Sequence, residues 1–257
     1  MSSLPAEQDT NGPLYIVVGG SGGIGSEVCR RLLKKQARVV AASRSQEKLS
    51  SLSAETGVDP VVLDATSSEQ VKQCFDQIAE RYGRIDGVVN CVGSLLLKPA
   101  HLTSDKEWDA TIINNLHSAF YVLREAARIM MKGGGGSIVL ISSAAARVGL
   151  ANHEAIGAAK AGIIGLALSA AATYAFKNIR VNIIAPGLVR TPLTAGLTTN
   201  EATLKTSTTM HALGRIGEPS DVASGIEWLL DPQQNWITGQ VLGIDGGLAA
   251  VRPRGSF

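Results

Sequence analysis

Short runs of β-branched and aliphatic residues recur along the chain, separated by stretches in which apolar positions return every three or four residues. The runs at 14–18, 38–42, 61–63, 87–90, 137–142, 180–184 and 241–244 read as strands, several too evenly apolar to keep one face in water. The stretches 24–36, 67–82, 105–132, 153–176 and 219–230 read as helices between them. Strand and helix alternating over the whole chain predict one parallel sheet, covered on both faces through right-handed crossovers. This is a doubly wound α/β fold.

Two interruptions in the pattern carry information. The glycine run 133–136 falls between a long helix and a strand, where a helix cap and tight turn use it, so it does not divide the chain. The threonine-rich stretch 192–214 is longer than ordinary connections and reads as a loop that covers a substrate. Residues 1–13 lack an apolar run and read as a flexible tail and not as a signal peptide, which leaves 14–257 as a single domain.

Composition narrows the partners. With 257 residues, 45% hydrophobic and 18% charged, the chain can bury one large core. The net charge is +2 and the basic residues are dispersed, so neither nucleic acid nor a membrane surface is expected as a partner. Cys29, Cys74 and Cys91 are widely spaced, which fits buried thiols in a reducing compartment and predicts a cytoplasmic protein. The uncharged stretch 161–176 is short for a bilayer, and apolar nearly all round. Burial against a second copy of the chain explains it, so a homodimer or homotetramer is expected. His153 and Glu154 begin like a zinc-protease motif, but the position four after His153 is Gly157, so no metal site is expected.

Directly after the first strand comes Gly19, Gly20, Ser21, Gly22, Gly23, Ile24, Gly25. Glycine lets backbone amides approach a pyrophosphate, and the N-terminus of the following helix favours its charge. The spacing Gly19, Gly23, Gly25 resembles the variant used by the short-chain dehydrogenase/reductase family. Asp64 and Ala65 match that family's adenine-bordering pair, and Asn90, Val92 and Gly93 fall in its Asn-x-Ala-Gly segment. Pro186, Gly187, Val189 and Thr191 match its nicotinamide-side loop. The resemblance runs over almost the whole chain and implies a Rossmann-type fold, a nicotinamide cofactor held by these residues and a small-molecule carbonyl or alcohol substrate. The second strand leads into Ser43 and Arg44, with no acidic residue to bind a ribose diol, so NADP(H) is expected over NAD(H).

The family's tetrad is Asn, Ser, Tyr, Lys, and Asn115, Ser143 and Lys160 stand at three of its positions. The tyrosine's place is held by Ile156. The resemblance implies that Ser143 holds the substrate oxygen, that Lys160 holds the nicotinamide ribose and that Asn115 anchors a water. An isoleucine cannot pass a proton, so the expected protein is an atypical NADP(H)-dependent oxidoreductase with a displaced proton donor. The alternative is a catalytically impaired cofactor-binding protein of the same fold. His153, one helical turn before Ile156, is the expected substitute because imidazole titrates near neutrality.

Overall fold

The computed structural model describes residues 12–252, so most of the expected N-terminal tail lies outside the described residues. The seven strands are β1 (Leu14–Val18), β2 (Arg38–Ser43), β3 (Asp59–Val62), β4 (Gly87–Asn90), β5 (Gly136–Ile141), β6 (Ile179–Pro186) and β7 (Val241–Ile244). They form one sheet in the order β3-β2-β1-β4-β5-β6-β7, and every pairing is parallel. The order reverses between β1 and β4, which places a crevice at the carboxyl ends of these strands, as the doubly wound fold requires.

The helices are α1 (Gly23–Lys34), α2 (Gln46–Thr56), α3 (Ser68–Tyr82), α4 (Asp105–Ile112), α5 (Ser118–Gly133), α6 (Glu154–Tyr174), α7 (Ala195–Thr198), α8 (Glu201–Met210) and α9 (Pro219–Leu230). Two hydrophobic layers result. One buries Val71, Phe75, Val122, Met130, Ile163 and Ala167 beneath α3, α5 and α6. The other buries Val28, Leu32, Leu49, Val222 and Ile226 beneath α1, α2 and α9.

Four expectations are corrected. The chain after Arg44 forms α2, which a periodicity reading misses because Leu49 and Leu52 are its only buried residues. The expected strand 61–63 is displaced to Asp59–Val62, an edge strand that tolerates Pro60 and leaves Val62 exposed. The single expected helix 105–132 is interrupted by a π-helical turn at Ile113–His117, which separates α4 from α5. The stretch 192–214 is largely helical, with α7 and α8 in place of a loop.

By length and composition, the helix over Glu154–Lys177 could cross a membrane, contrary to the reading of its uncharged core as too short. Here it is the crossover between β5 and β6. Ala155, Ile156, Ala159, Lys160, Ile163, Ala167, Ala170 and Ala171 are buried along its inner side. Its outer side keeps Ala161, Gly165, Leu168, Ser169 and Ala172 exposed, a row of small or apolar residues with no charge.

Candidate active site

The glycine loop closes against the neighbouring strand as the sequence requires. Gly19 has a φ of 80°, and a Cβ there would lie 2.9 Å from the Cys91 carbonyl carbon. A Cβ on Gly25 would lie 2.2 Å from the Gly19 oxygen. Beyond this turn, α1 begins with Gly22 as N-cap and no side chain capping it, so its first amides are presented to the crevice. The Ser21 and Ser43 hydroxyls meet at 2.7 Å and tie the turn to the end of β2.

The crevice has a volume of about 290 Å³. Gly19, Ser21, Gly23, Ile24, Gly25, Ser43, Arg44, Asp64, Ala65, Val92, Gly93 and Thr191 all line it, as the motifs predict. Ser45, Lys48, Thr66, Cys91, Asn114 and Leu193 line it as well and were not anticipated. Lys48 belongs to the missed helix α2, whose N-cap Ser45 accepts from the Lys48 amide, so no residue pattern flagged it. The Asp64 carboxyl is partly buried, which works against its charge, yet hydrogen bonds from the Thr66 amide and hydroxyl and the nearby Arg44 hold it below the usual carboxylate range.

Five expected cofactor residues, Asn90, Lys160, Pro186, Gly187 and Val189, stand outside the crevice wall. Asn90 is buried and its side-chain Oδ1 accepts from the Val92 amide at 3.1 Å, so it braces the loop that Val92 and Gly93 present. Pro186 ends β6, Val189 is buried, and Gly187 packs against His211 and Asp245. These three do not line the crevice.

Behind Gly93, the Lys160 ammonium donates to the Ile141 carbonyl at 2.9 Å. Burial pushes its pKa down to about 8, against a small opposing effect of Cys91. Gly93 separates it from Asn115: a Cβ on this glycine would lie 3.3 Å from Lys160 Nζ and 2.8 Å from Asn115 Oδ1. Asn115 occupies the π-helical turn and is fully buried. Its amide donates to the Ser94 hydroxyl at 3.0 Å and to the Thr111 carbonyl at 2.9 Å, while its oxygen accepts from the Ser94 amide at 3.2 Å. The π turn offsets the helical register at Asn115, and such bulges recur at functional sites.

Ser143 follows β5 and its hydroxyl oxygen accepts from the Ala145 amide at 3.1 Å, which leaves the hydroxyl proton to donate elsewhere. Ile156 is only 3% exposed and presents no polar atom. His153 does not share the face of α6 with it as expected, because the helix begins at Glu154 and His153 sits outside with φ −109° and ψ 15°. Its Nδ1 lies 2.7 Å from the Ala151 carbonyl, so Nδ1 carries the proton, and Nε2 has no hydrogen-bond partner among the described residues.

A larger hollow of about 640 Å³ opens at the opposite ends of the strands, lined by Tyr15, Arg84, Asp86, Arg180 and Trp236 among others. Its glycines, Gly134 to Gly136, follow the C-terminus of α5 and do not open a helix, so the smaller crevice, with its glycine turn leading into the N-terminus of α1, fits a dinucleotide better despite its size.

A family model described as enoyl-(acyl carrier protein) reductase matches residues 19–249. The 3-oxoacyl-(acyl-carrier-protein) reductase FabG of Thermotoga maritima is 38% identical over 244 residues, covering 92% of this chain and 98% of its own length. A short-chain type dehydrogenase/reductase from Mycobacterium ulcerans superposes with a TM-score of 0.90 at 33% identity, over 97% of this chain and 93% of that one. A variant of ElxO with one tyrosine replaced by phenylalanine, solved with NADPH bound, superposes with a TM-score of 0.87 at 31% identity, over 93% of this chain and 100% of that one. The chain belongs to the short-chain dehydrogenase/reductase family of oxidoreductases. Its relatives act on carbonyl and hydroxyl groups of small molecules.

Proposed function

We propose that this chain is an NADP(H)-dependent carbonyl reductase in which the proton comes from Lys160 and not from a tyrosine. The observation that carries this reading is the state of Lys160: a buried ammonium behind Gly93 of the dinucleotide crevice, with one donor spent on Ile141 and a pKa near 8. A general acid works best when its pKa lies close to the working pH, and burial has brought this lysine there.

The chain's residues fit the cofactor. The uncapped amides of α1 and the glycine turn would hold the pyrophosphate. Arg44, Ser45 and Lys48 line the crevice together, and a 2′-phosphate would lie against the Arg44 guanidinium. NADPH supplies hydride to the substrate carbon. Ser143 would donate its free hydroxyl proton to the substrate oxygen, Lys160 would pass a proton to the same oxygen as charge develops, and Asn115 would hold Ser94 and the β4 loop in place. The ElxO neighbour supports the cofactor part, since it holds NADPH in a variant that has lost a tyrosine hydroxyl.

One observation favours a second reading, a cofactor-binding protein without turnover. Ile156, at the position where the family has its tyrosine, is buried and carries no hydroxyl. Screening carbonyl substrates with NADPH and NADH separates the two. The reductase reading expects substrate-dependent NADPH oxidation that falls at least about 10²-fold in Lys160→Met and stays within a few-fold in His153→Ala. Loss on removing His153, with Lys160→Met retaining turnover, would place the acid on the imidazole. NADPH binding without turnover on any carbonyl would leave the binding protein.

We also propose that the exposed, uncharged side of α6 pairs with a second copy of the chain, giving a homodimer or homotetramer in the cytoplasm. Leu168 is 45% exposed on this helix and Phe176 75% exposed in the turn directly after it, and the small residues Ala161, Gly165, Ser169 and Ala172 let a second backbone come close.

A further inference from the structure

Helix α8, in the segment between β6 and α9, buries none of its ten residues. The residue that ends it, His211, is 3% exposed. Both nitrogens of its ring are engaged, and each bond goes to a different element. Nδ1 lies 2.6 Å from the Ser207 carbonyl inside α8, and Nε2 accepts from the Leu188 amide at 3.1 Å in the loop after β6. A backbone N–H can only donate, so Nε2 carries the lone pair and Nδ1 the proton. The ring is fixed as one neutral tautomer.

The loop is shaped to receive this ring. A Cβ on Gly187 would lie 2.5 Å from His211 Nε2, so only glycine lets the imidazole reach Leu188. On the far side, Gly246 adopts a φ of 57° and comes within 3.4 Å of the His211 Cβ and Cδ2 positions, measured from where its own Cβ would stand. The Leu213 amide then donates to the Gly246 carbonyl at 3.0 Å and the Gly214 amide to the His211 carbonyl at 2.8 Å, closing the turn that follows α8. Three residues beyond Leu188, Thr191 reaches the wall of the dinucleotide crevice.

We propose that His211 is a positioning residue that ties α8 to the loop 187–191, so that filling the dinucleotide crevice and ordering the segment above it are coupled. The tie is one hydrogen bond between a covering helix with no core of its own and a loop whose end forms the crevice wall. A ligand that fixes Thr191 fixes Leu188, and through the imidazole it fixes α8; by reciprocity, a molecule held beneath α8 tightens the crevice. The coupling rests on the reading of the crevice as an NADP(H) site, but the tie itself does not.

Two substitutions divide the two bonds. In His211→Gln the side-chain oxygen can stand in for Nε2 and accept from Leu188; in His211→Asn the amide can stand in for Nδ1 and donate to Ser207, leaving Leu188 without a partner. Hydrogen exchange is followed at the Leu188 amide and over 201–210, with and without NADPH, alongside His211→Ala. The NADPH dissociation constant of each protein is measured by fluorescence titration. The tie predicts exchange at Leu188 about tenfold faster in the Asn and Ala variants and near wild type in the Gln variant, without cofactor. The coupling predicts that NADPH slows exchange over 201–210 in wild type and His211→Gln only. If Asn preserves protection and Gln does not, His211 merely caps α8 and the proposal fails. If NADPH slows α8 equally in all four proteins, coupling bypasses the imidazole and the proposal also fails. Should NADPH not bind the wild type, the cofactor reading falls, and exchange at Leu188 without cofactor still decides the tie.

Discussion

The Lys160 ammonium and the Ile141 carbonyl meet at 2.9 Å inside the protein, across the gap between α6 and the end of β5. This single contact holds a buried charge that folding disfavours. The folded group titrates near 8 against 10.5 when solvated, so below pH 8 the buried charge costs roughly 3 kcal/mol. As pH rises from about 8 to 10.5, the unfolded chain holds more protons than the folded one, and the cost fades. Wild type should therefore gain stability relative to Lys160→Met across that window. Urea midpoints measured at several pH values check it; parallel curves for the two proteins would contradict it.

The same titration governs chemistry. If Lys160 is the acid, turnover should be highest while the ammonium is charged and should fall about tenfold for each pH unit above 8. A rate flat from pH 7 to 10 would exclude it.

Ile156→Tyr should restore the family's proton donor beside Ser143. Carbonyl reduction should rise by about 10²- to 10⁴-fold where hydroxyl and substrate align. Because Ile156 is 3% exposed, the larger ring should also lower stability by about 1–3 kcal/mol. Steady-state kinetics and thermal melts read the two effects separately.

Arg44→Ala should weaken NADPH by about 1–3 kcal/mol and leave NADH nearly unchanged, because only the former carries a 2′-phosphate. Arg44 is exposed, so its contribution should shrink as salt is raised. Lys48→Ala should have a smaller effect of the same kind. Paired titrations of both cofactors decide this, and equal affinities in the wild type would overturn the NADP(H) assignment.

Leu168→Glu should split the assembly into monomers that still fold, since the side chain is exposed in one chain and its replacement costs nothing to the monomer core. Light scattering measures the mass. A wild type that is already a monomer removes the basis of the assembly.

Much of this protein was legible in one dimension. The strands β1, β2, β4, β5 and β6 are mostly buried on both faces, so their sequences are largely apolar and announce a sheet covered on two sides. The glycine turn was equally plain, because its constraint is local: the backbone must pass close to another backbone, and only glycine permits it. The isoleucine at 156 is likewise a fact of spacing alone.

The tertiary structure decided the rest. Helix α2 has too few buried residues for a periodic signal, so Lys48 entered the crevice unannounced. The π turn that aims Asn115 changes the hydrogen-bond pattern and not the residue pattern, and a helix of uninterrupted sequence hides it. Asn90 resembled a cofactor contact, and folding turned it into a brace for Val92. His211 matched no motif, since its two partners lie four and twenty-three residues away and matter only once the chain has brought Leu188 beneath it. What sequence determines is whatever a residue owes to its own neighbours along the chain; the partners of a buried polar group are chosen by packing, and packing is long-range.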